Sequence, residues 1–324
     1  MTNVPRFPDF SRHSGLLDHQ LLTGSHVAVI GVGGAAGLAN LLVRSGVGKL
    51  TLVDPDIVSA TNPTTQNHDY TDLGRPKVEA LATRLTDIDP SIIVETYHGT
   101  YESLPAAAHP SVWQSDMVLA MTDRFATQAA INRQALETHT DAVFAISYPD
   151  AVGVEITATF AEAVAAGSGC HRCHTKSRYD DYASGYQNPA VIGSHAVIAE
   201  YLNTLIALIV IGRLHQRAAS DVAIGRVAEV FARTPCLISR LDPLFYAAPG
   251  EPFSDAPREM SLFTTKLWAL DTPDTWICPD CGTAGRVPQM RGEEPRSPPC
   301  PNRKEDRMKP TLLPRGPVVT GGLR

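Results

Sequence analysis

The sequence has no excess of basic residues. Its 28 lysines and arginines are outnumbered by 34 aspartates and glutamates, which gives a net charge of -6 at pH 7, and no block of like charges stands out. A protein that binds a phosphate backbone or an anionic lipid surface usually concentrates positive charge on one face. We therefore expect neither nucleic acid nor membrane among its partners.

Long apolar runs are also missing. The longest one, residues 205–211, is too short to span a bilayer, and because Glu200 and Asn203 precede it, it predicts a buried helix. A secretory signal has an apolar segment that follows a basic one, and residues 1–15 contain no such arrangement. These features are typical of a soluble protein of the cytoplasm.

Cysteine is scarce, with six residues in a chain of 324, which argues against a disulfide framework. Four of the six form two Cys-x-x-Cys pairs, Cys170 with Cys173 and Cys278 with Cys281. Two such pairs are the usual ligands of a tetrahedral zinc site, which would attach the C-terminal segment to the core. The run CHRCH also matches a haem-attachment pattern, but the second pair and the missing export signal favour zinc.

An alternation of strand and helix patterns is what the sequence does contain. From residue 26 the chain reads HVAVI, AAGLANLLVRSG and KLTLVD, with turn residues between these runs, which predicts a strand, a helix and a strand. Further strand patterns lie at 92–97, 116–121, 142–147 and 154–160, and helical patterns at 77–85 and 126–136. The sequence predicts an α/β fold with a Rossmann-like, mainly parallel sheet, helices on both faces and a zinc-clipped C-terminal extension.

The rest of the chain is less regular. Residues 167–189 are polar and rich in glycine, tyrosine and aspartate, which predicts a long surface loop and a candidate lid or partner contact. A helix is expected at 195–214, and weaker strand or helix signals follow at 222–237 and 262–270. From about residue 286 onward the tail is rich in proline and charge, a composition typical of disorder.

A glycine-rich turn follows the first strand pattern. Gly31, Gly33 and Gly34 lie between an apolar strand and a helix, where glycine allows close approach of a phosphate and the helix N-terminus favours negative charge. Asp54 ends the next strand, where a carboxylate can accept hydrogen bonds from ribose hydroxyls. Together they predict a nucleotide site, although a tight turn without a ligand and a nicotinamide-dependent oxidoreductase are alternatives.

Several longer motifs narrow this interpretation. The runs GVGG, SGVGKLTLVDPDIVSATNPTTQ at 45–66, GRPK at 74–77 and MTDRF at 121–125 resemble the ThiF/MoeB/ubiquitin-activating superfamily in order and spacing. The N-terminal FSRHSGLL is similar to the opening helix of that family. The resemblance covers residues 10–282 and implies one adenylating domain at 1–285, followed by a disordered tail at 286–324. Within that domain it implies an N-terminal helical arm at 1–25, a crossover loop at 167–190 and a zinc knuckle at 278–285.

The resemblance also implies an activity and a nucleotide site. Enzymes of this superfamily use ATP and Mg²⁺ to adenylate the C-terminal carboxylate of a ubiquitin-like or sulfur-carrier protein that ends in glycine, and they release pyrophosphate. The expected assembly is a homodimer. By resemblance, Asp54 holds the ATP ribose, Asn62 and Gln66 contact the nucleotide, and Lys77 neutralises phosphate charge.

The remaining implied roles concern the magnesium ion and the second subunit. By the same resemblance, Asp123 holds the magnesium ion, Asp56 assists it, and Arg12 reaches into the phosphate site of the neighbouring subunit. Each of these side chains also has a plainer interpretation, as a helix cap or as part of a surface ion pair.

The chain departs from the family pattern at a few positions. Thr65 stands where the family has an arginine, and Arg124 stands where asparagine is common. Either Ala36 or Gly37 takes the family's next glycine position. Arg124 or Arg75 is a candidate source of the missing charge. These departures keep open a catalytically weak partner subunit of a heterodimeric activating enzyme.

Other activities of the same fold remain as alternatives. A microcin-type enzyme that adenylates a peptide fits the same motifs, whereas the RNA-modifying dehydratases of the superfamily are disfavoured because that branch lacks the cysteine pairs. Of the two remaining cysteines, Cys236 lies in an apolar strand pattern typical of a buried, inert thiol, and Cys300 lies in the tail. We therefore expect adenylation without an obligatory enzyme thioester.

Overall fold

An eight-stranded sheet organises the part of the chain that is described. The computed structural model describes residues 7–148, 152–186, 195–242, 253, 264–268 and 275–284. The strands are β1 (His26–Ile30), β2 (Lys49–Asp54), β3 (Ile93–His98), β4 (Met117–Ala120), β5 (Asp141–Ser147), β6 (Gly153–Thr159), β7 (Cys236–Arg240) and β8 (Thr264–Leu267). Their order in the sheet is β3-β2-β1-β4-β5-β6-β7-β8.

Parallel pairing dominates the half of the sheet that precedes residue 150. The strands β3, β2, β1, β4 and β5 pair in parallel, whereas β6, β7 and β8 continue the sheet in antiparallel fashion. The central strands β1 and β4 are buried along almost their whole length. A strand covered on both faces reads as a continuous apolar run and not as an alternating one, which is why the sequence pattern was informative. The predicted mainly parallel sheet is confirmed.

Helices cover both faces of this sheet. They are α1 (His19–Thr23), α2 (Ala36–Ser45), α3 (Asn62–Thr65), α4 (Lys77–Ile88), α5 (His109–Trp113), α6 (Phe125–Thr138), α7 (Ala161–Ala165), α8 (His171–His174), α9 (Lys176–Ala183), α10 (Ala196–Arg217) and α11 (Gly225–Arg233). Apolar side chains of α2, α4, α10 and α11 pack on one face, and those of α5 and α6 on the other. The predicted two-sided arrangement is confirmed.

Helix α10 is apolar because it belongs to the core. Among the described residues it is the one helix long and apolar enough, by length and composition, to cross a membrane. Its buried face nevertheless carries Arg213, whose Nε lies 2.7 Å from Asp141 Oδ2. At His215, Nε2 accepts a hydrogen bond of 2.9 Å from the Asp18 N–H. These contacts identify α10 as a buried helix, as the sequence predicted.

The interpretation of residues 167–189 as one long loop is wrong for its described part. That stretch contains α8 and α9, and only residues 187–189 of it lie outside the described residues. The sequence of α9, KSRYDDYA, has a weak apolar periodicity. The helix is instead stabilised by tertiary contacts, because Tyr179 is 8% exposed and packs against Phe125. Such a contact between distant segments cannot be read from a local pattern.

The other predicted elements lie close to their expected places. The four later strand predictions agree with β3, β4, β5 and β6 to within one residue at each end. The weak signals at 222–237 and 262–270 resolve into α11, β7 and β8. All described residues belong to one unit, Met1–Gln289. The predicted disordered tail at 286–324 lies outside the described residues.

The strand order of the described sheet reverses at β1. After β1 the chain moves toward β2 and β3, while β4 and β5 lie on the other side of β1. In open α/β sheets, ligands bind outside the carboxyl ends of the strands where the order reverses in this way. Gly31 follows the carboxyl end of β1, Asp54 is the last residue of β2, and Met121 follows β4. The candidate nucleotide residues therefore meet at this edge.

Candidate functional site

The glycine turn crosses closely over the end of β4. Gly31 has a φ of +90°, and a Cβ at this position would lie 2.6 Å from the Met121 carbonyl oxygen. Its N–H donates a hydrogen bond of 2.8 Å to the Val53 carbonyl. Gly34 is exposed, with no atom within 4 Å of the position a Cβ would take. Gly31 is thus required by the fold, whereas the open space at Gly34 suits the approach of a ligand.

Asp54 holds the turn in place. Its Oδ2 accepts a hydrogen bond of 2.7 Å from the Val32 N–H, and its Oδ1 accepts one of 2.8 Å from the Asp56 N–H. Burial raises the pKa of Asp54, although the two backbone donors oppose that effect. Each carboxylate oxygen can accept a second hydrogen bond. The geometry therefore assigns Asp54 to the turn and leaves lone pairs for a ribose hydroxyl.

Asn62 and Gln66 form the wall beside the turn. Asn62 Oδ1 accepts a hydrogen bond of 2.8 Å from the Ser59 N–H, and its carbonyl accepts one of 2.7 Å from the Gln66 N–H. The Gln66 amide lies against Gly33, 3.0 Å from the position a Cβ would take. Gln66 Oε1 is buried without a hydrogen-bond partner. Because an unpaired buried acceptor is costly, this atom fits a site that a polar ligand completes.

Lys77 supplies a buried positive charge. It is the first residue of α4, is 5% exposed, and places its Nζ 2.8 Å from Asp56 Oδ2. The Asp56 side chain is itself 62% exposed. A buried ammonium group is stable only with anionic partners. Because the Asp56 carboxylate faces solvent, a phosphate can approach the Lys77 ammonium group from that side.

The loop after β4 carries the predicted magnesium ligand. Asp123 lies on the surface between β4 and α6. Its neighbour Arg124 is exposed, and its Nη1 lies 3.8 Å from Glu102 Oε2. A carboxylate at the carboxyl edge of the sheet suits a hard cation such as Mg²⁺. The structure brings Asp123 to the same edge as the glycine turn.

Arg12 lies at the opposite end of α2. It is exposed in the 3-10 turn Ser11–His13, next to Phe10, whose ring stacks on His19 at 4.4 Å. Both rings approach Gly46, which caps the C-terminus of α2. The glycine turn precedes the N-terminus of the same helix, and ten residues of α-helix span about 15 Å. Within one chain, Arg12 is therefore not brought to the nucleotide residues.

Among the described residues, neither Arg75 nor Arg124 replaces the arginine that the family resemblance implies at position 65. Thr65 Oγ1 donates a local hydrogen bond of 2.9 Å to the Thr61 carbonyl. Arg75 is held 2.9 Å from Asp72 Oδ1 and donates to Thr83 Oγ1 at 2.9 Å. Since the two candidate arginines have carboxylate partners of their own, neither position supports the proposed compensation.

Gly37 has a packing role. The Glu200 carboxylate oxygens lie 2.1 and 2.3 Å from the position a Cβ of Gly37 would take, so a larger residue there would require the Glu200 side chain of α10 to move. Glu200 Oε1 also accepts a hydrogen bond of 3.3 Å from Asn67 Nδ2. In the same contact between helices, Asn203 Nδ2 donates to the Gly34 carbonyl at 2.9 Å. Gly37 thus serves the packing of α2 against α10 and not the binding of a ligand.

His68 is a site residue that sequence reasoning missed. It is 4% exposed, and its Nε2 has no hydrogen-bond partner. Burial lowers the pKa of His68 to about 4, and the charges of Lys77 and Arg84 act in the same direction, whereas the Val32 backbone opposes them. The imidazole therefore lies neutral behind the glycine turn. No local motif marks it, because its neighbours come from three separate segments.

Stability at acidic pH tests this state of His68. An unfolded histidine binds a proton below a pKa of about 6.5, whereas His68 in the folded protein binds one only near a pKa of about 4. Between these values the unfolded chain binds more protons, so stability falls as the pH falls. The free energy of unfolding, measured with urea, should fall between about pH 7 and about pH 5.5 by about 1 kcal/mol less in His68→Leu than in the wild type. Replacement of the exposed His109 by leucine is the control, and equal pH profiles for wild type and His68→Leu would contradict the buried neutral state.

The two cysteine pairs meet in one cluster. Their sulfur atoms all lie within 4.8 Å of one another. The Sγ–Sγ distances are 3.9 Å for Cys170–Cys173, 3.8 Å for Cys170–Cys278 and 3.5 Å for Cys173–Cys281. A tetrahedron with metal–sulfur bonds of about 2.3 Å has edges of about 3.8 Å, so the cluster fits zinc. Hydrogen bonds among these sulfurs raise the pKa of Cys173 and lower that of Cys281.

Polar groups around the cluster connect it to the core. Asn132 of α6 donates from Nδ2 to Asp280 Oδ2 at 2.9 Å and lies 3.7 Å from Cys170 Sγ. Asp280 also pairs with Arg172, at 2.8 Å. Gly169 and Gly282 beside the cysteines have positive φ values of 79° and 72°, which glycine adopts without strain in a tight turn. The predicted attachment of the C-terminal segment is thus visible in the fold.

Cys236 is not placed to act as a nucleophile. It is 1% exposed at the start of β7 and packs with Ile238, Phe253 and Trp268. Burial raises the pKa of the Cys236 thiol well above its usual range. Because a thiolate and access to it are both needed for thioester formation, this geometry agrees with an inert thiol. Cys300 lies outside the described residues.

Comparison with known proteins adds a family context. The model of the ThiF family matches residues 7–230. Molybdopterin-synthase adenylyltransferase of Escherichia coli (strain K12) is 35% identical over 115 residues, which cover 35% of this chain and 45% of that protein. Ubiquitin-like modifier-activating enzyme 5 of Drosophila grimshawi is 33% identical over 126 residues, which cover 36% of this chain and 32% of that protein. The chain thus spans less than half the length of these relatives.

A third relative and one solved structure complete the comparison. tRNA threonylcarbamoyladenosine dehydratase of Bacillus subtilis (strain 168) is 45% identical over 73 residues, which cover 22% of this chain and 29% of that protein. The crystal structure of E. coli MccB matches with a TM-score of 0.52 at 18% identity, and covers 68% of this chain and 60% of that one. At this identity the likeness concerns the fold alone.

Proposed function

Because the chain belongs to the ThiF family, we propose that it is an ATP-dependent adenylyltransferase that activates the C-terminal carboxylate of a ubiquitin-like or sulfur-carrier protein ending in glycine. One observation carries this proposal. The open glycine turn packs against the Gln66 amide, whose Oε1 is buried without a hydrogen-bond partner, and the buried Lys77 ammonium group pairs with Asp56, whose N–H donates to Asp54 beside the turn. This arrangement offers a phosphate both backbone approach and positive charge.

The proposed reaction is nucleophilic substitution at the α-phosphorus of ATP. A carboxylate oxygen of the carrier protein forms a bond to this phosphorus. The bond from the phosphorus to the oxygen that bridges to the β-phosphate breaks, and pyrophosphate leaves with the electron pair. The carboxylate is already ionised at neutral pH, so no general base is needed. Repulsion between the two anions is the main barrier, and cationic groups lower it.

The side chains divide this work. Asp54 accepts from the ribose, Asn62 and Gln66 line the nucleotide, and Lys77 neutralises phosphate oxygens. Asp123 would hold the Mg²⁺ ion, with Asp56 assisting. When bound, Mg²⁺ supplies charge neutralisation at the phosphates. Two features support this division: Asp54 and Asp123 lie at the carboxyl ends of β2 and β4, which flank β1, and Asp56 is exposed beside Lys77.

Two further parts of the proposal concern zinc and the assembly. We assign the cysteine cluster to structural Zn²⁺, on the strength of its sulfur spacing. We further propose a homodimer in the cytoplasm, in which each subunit lends Arg12 to the site of the other. The position of Arg12 at the far end of α2 supports a role in trans, since it is remote from the site of its own chain.

The alternatives differ in the group that is activated. The fold likeness to MccB keeps a peptide carboxylate as a candidate, and the similarity to a tRNA threonylcarbamoyladenosine dehydratase keeps an RNA-linked carboxylate as another. The loss of a cation at Thr65 keeps a weak partner subunit open. The zinc cluster and the acidic net charge of -6 favour a protein substrate over RNA.

ATP–pyrophosphate exchange tests the proposal. Exchange should require a glycine-ended carrier protein, and Lys77→Met should lower its rate by about 100-fold or more, as removal of one electrostatic group at a reacting centre does. Lys49→Met is the matched control, because Lys49 pairs with Glu95 and lies at the amino end of β2, opposite to the end that carries Asp54. Exchange with a peptide or an RNA but with no carrier protein would select an alternative. Exchange only after addition of a sibling subunit would identify the weak partner.

A further inference from the structure

An aromatic contact joins the Asp123 loop to the segment that follows the first cysteine pair. Phe125 begins α6, two residues after Asp123. Its ring is stacked on Tyr182 with a centroid distance of 4.0 Å and an interplanar angle of 6°. It also meets the edge of Tyr179 at 4.7 Å. Both tyrosines lie on α9, so α9 covers the start of α6.

Helix α9 is in turn attached to the cysteine cluster. It begins three residues after Cys173 and packs on α8. The Arg172 guanidinium lies 4.6 Å above the Tyr179 ring and pairs with Asp280, which stands between the second pair of cysteines. The position of α9 therefore depends on the arrangement of both Cys-x-x-Cys pairs.

Helix α6 has a second attachment to the same cluster. Asn132, seven residues after Phe125, donates from Nδ2 to Asp280 Oδ2 at 2.9 Å, and its Oδ1 accepts from Thr159 Oγ1 at 2.6 Å. Seven residues of α-helix span about 10 Å. Two attachments at this separation set the direction of the helix as well as its position.

A hydrogen bond joins the loop that carries Asp123 to the first turn of α6. The N-cap residue of α6, Arg124, makes no side-chain capping hydrogen bond. Gln128, one turn into the helix and 2% exposed, instead donates from Nε2 to the Thr122 carbonyl at 2.8 Å. A continuous set of contacts thus runs from the cysteine cluster through Tyr182, Phe125 and α6 to Thr122.

We propose that Tyr182 and Phe125 are positioning residues that transmit the order of the cysteine cluster to Asp123, so that this cluster sets how tightly the site holds a divalent cation. The inference rests on the proposed function for the role of Asp123. It gives the zinc cluster, which otherwise only attaches the C-terminal segment, an effect on the chemistry at the sheet edge. Tyr182 and Phe125 touch no reacting group themselves.

The test uses the full-length protein with Tyr182→Ala, Tyr182→Phe and Tyr70→Ala. Binding of Mn²⁺ with ATP is followed by electron paramagnetic resonance, and the Mg²⁺ dependence of pyrophosphate exchange is followed in parallel. Tyr182→Ala should weaken the affinity for the divalent ion about three- to tenfold, as expected from loss of one aromatic pair. Tyr182→Phe keeps the stack and should restore wild-type affinity. Tyr70, 77% exposed, is the matched surface control.

Zinc content separates positioning from folding. If Tyr182→Ala loses zinc, Phe125→Leu provides the second variant, because it keeps an apolar side chain and removes only the stacked ring. Unchanged Mn²⁺ affinity in a zinc-loaded variant that lacks the stack would overturn the inference and leave the proposed function intact. A wild-type protein that binds no Mn²⁺ with ATP would contradict both.

Discussion

Mixing an Arg12→Ala protein with an Asp123→Ala protein should restore pyrophosphate exchange that neither protein has alone. Arg12 lies beyond the C-terminus of α2, whereas Asp123 lies at the sheet edge near the N-terminus of that helix. One chain therefore cannot bring the two together, and a composite site needs two chains. Each mutant homodimer lacks one of the two groups at every site.

The size of the recovery follows from the symmetry. In a mixed dimer one site has both groups and the other has neither. Random exchange of subunits makes about half of the dimers mixed, each with one intact site, so activity should approach about a quarter of that of the wild type. Arg44→Ala is the control, because Arg44 is an exposed arginine on the last turn of α2, two residues before Gly46, which the Phe10 ring approaches. Absence of recovery after proven subunit exchange would exclude Arg12 in trans.

Full exchange activity in the Asp123→Ala homodimer would have a wider consequence. It would remove the metal assignment at the carboxyl edge of the sheet and, with it, the proposed role of α6 in positioning that carboxylate. Full activity in the Arg12→Ala homodimer alone would affect only the trans contribution. The two homodimers therefore report on separate parts of the proposal.

Replacement of Cys278 or Cys281 by serine should remove zinc and much of the thermal stability. Wild-type protein prepared without chelator should contain about one zinc ion per chain, and each variant close to none. The cluster connects the segment at 275–284 to α6 and α8, so its loss releases a long-range attachment. We expect the midpoint of thermal unfolding to fall by about 10 °C, as a loss of a few kcal/mol does in a domain of this size.

Cys236→Ser provides the matched control for the zinc experiment. Cys236 is also a buried thiol, but it packs with Ile238 and Phe253, away from the cluster. Its replacement should leave the zinc content unchanged and, since no enzyme thioester is needed for adenylation, should leave pyrophosphate exchange intact. Wild-type protein without zinc would refute the metal assignment. A carrier adduct on the wild-type protein that a thiol reductant releases would contradict the inert role of Cys236.

The strands and the glycine turn could be predicted because their causes are local. β1 and β4 are covered on both faces, and a strand in that environment needs a continuous apolar run. Gly31 adopts a φ of +90° beside the Met121 carbonyl, which only glycine tolerates. The cysteine pairs were equally informative, because tetrahedral metal binding imposes a fixed spacing within each pair.

Other features depend on segments that are distant in sequence. Helix α9 has a weak apolar periodicity, which is why its sequence predicted a loop. The helix is stabilised by the stacking of Tyr182 on Phe125. The pKa of His68 depends on the Val32 backbone as well as on Lys77 and Arg84, and Gly37 packs against Glu200, which lies far along the chain. No local propensity encodes such contacts, because they arise when separate elements pack together.

The sequence by itself determined the parallel α/β core, the turn at Gly31 and the pairing of cysteines, since each follows from the backbone conformation, burial or ligand spacing of a short segment. Only the tertiary structure decided that Arg12 and Asp123 lie at opposite ends of α2 and that the cysteine cluster reaches α6 through Asn132 and Phe125. Distances across the fold depend on how helices pack on the sheet, and that packing is the sum of many long-range contacts.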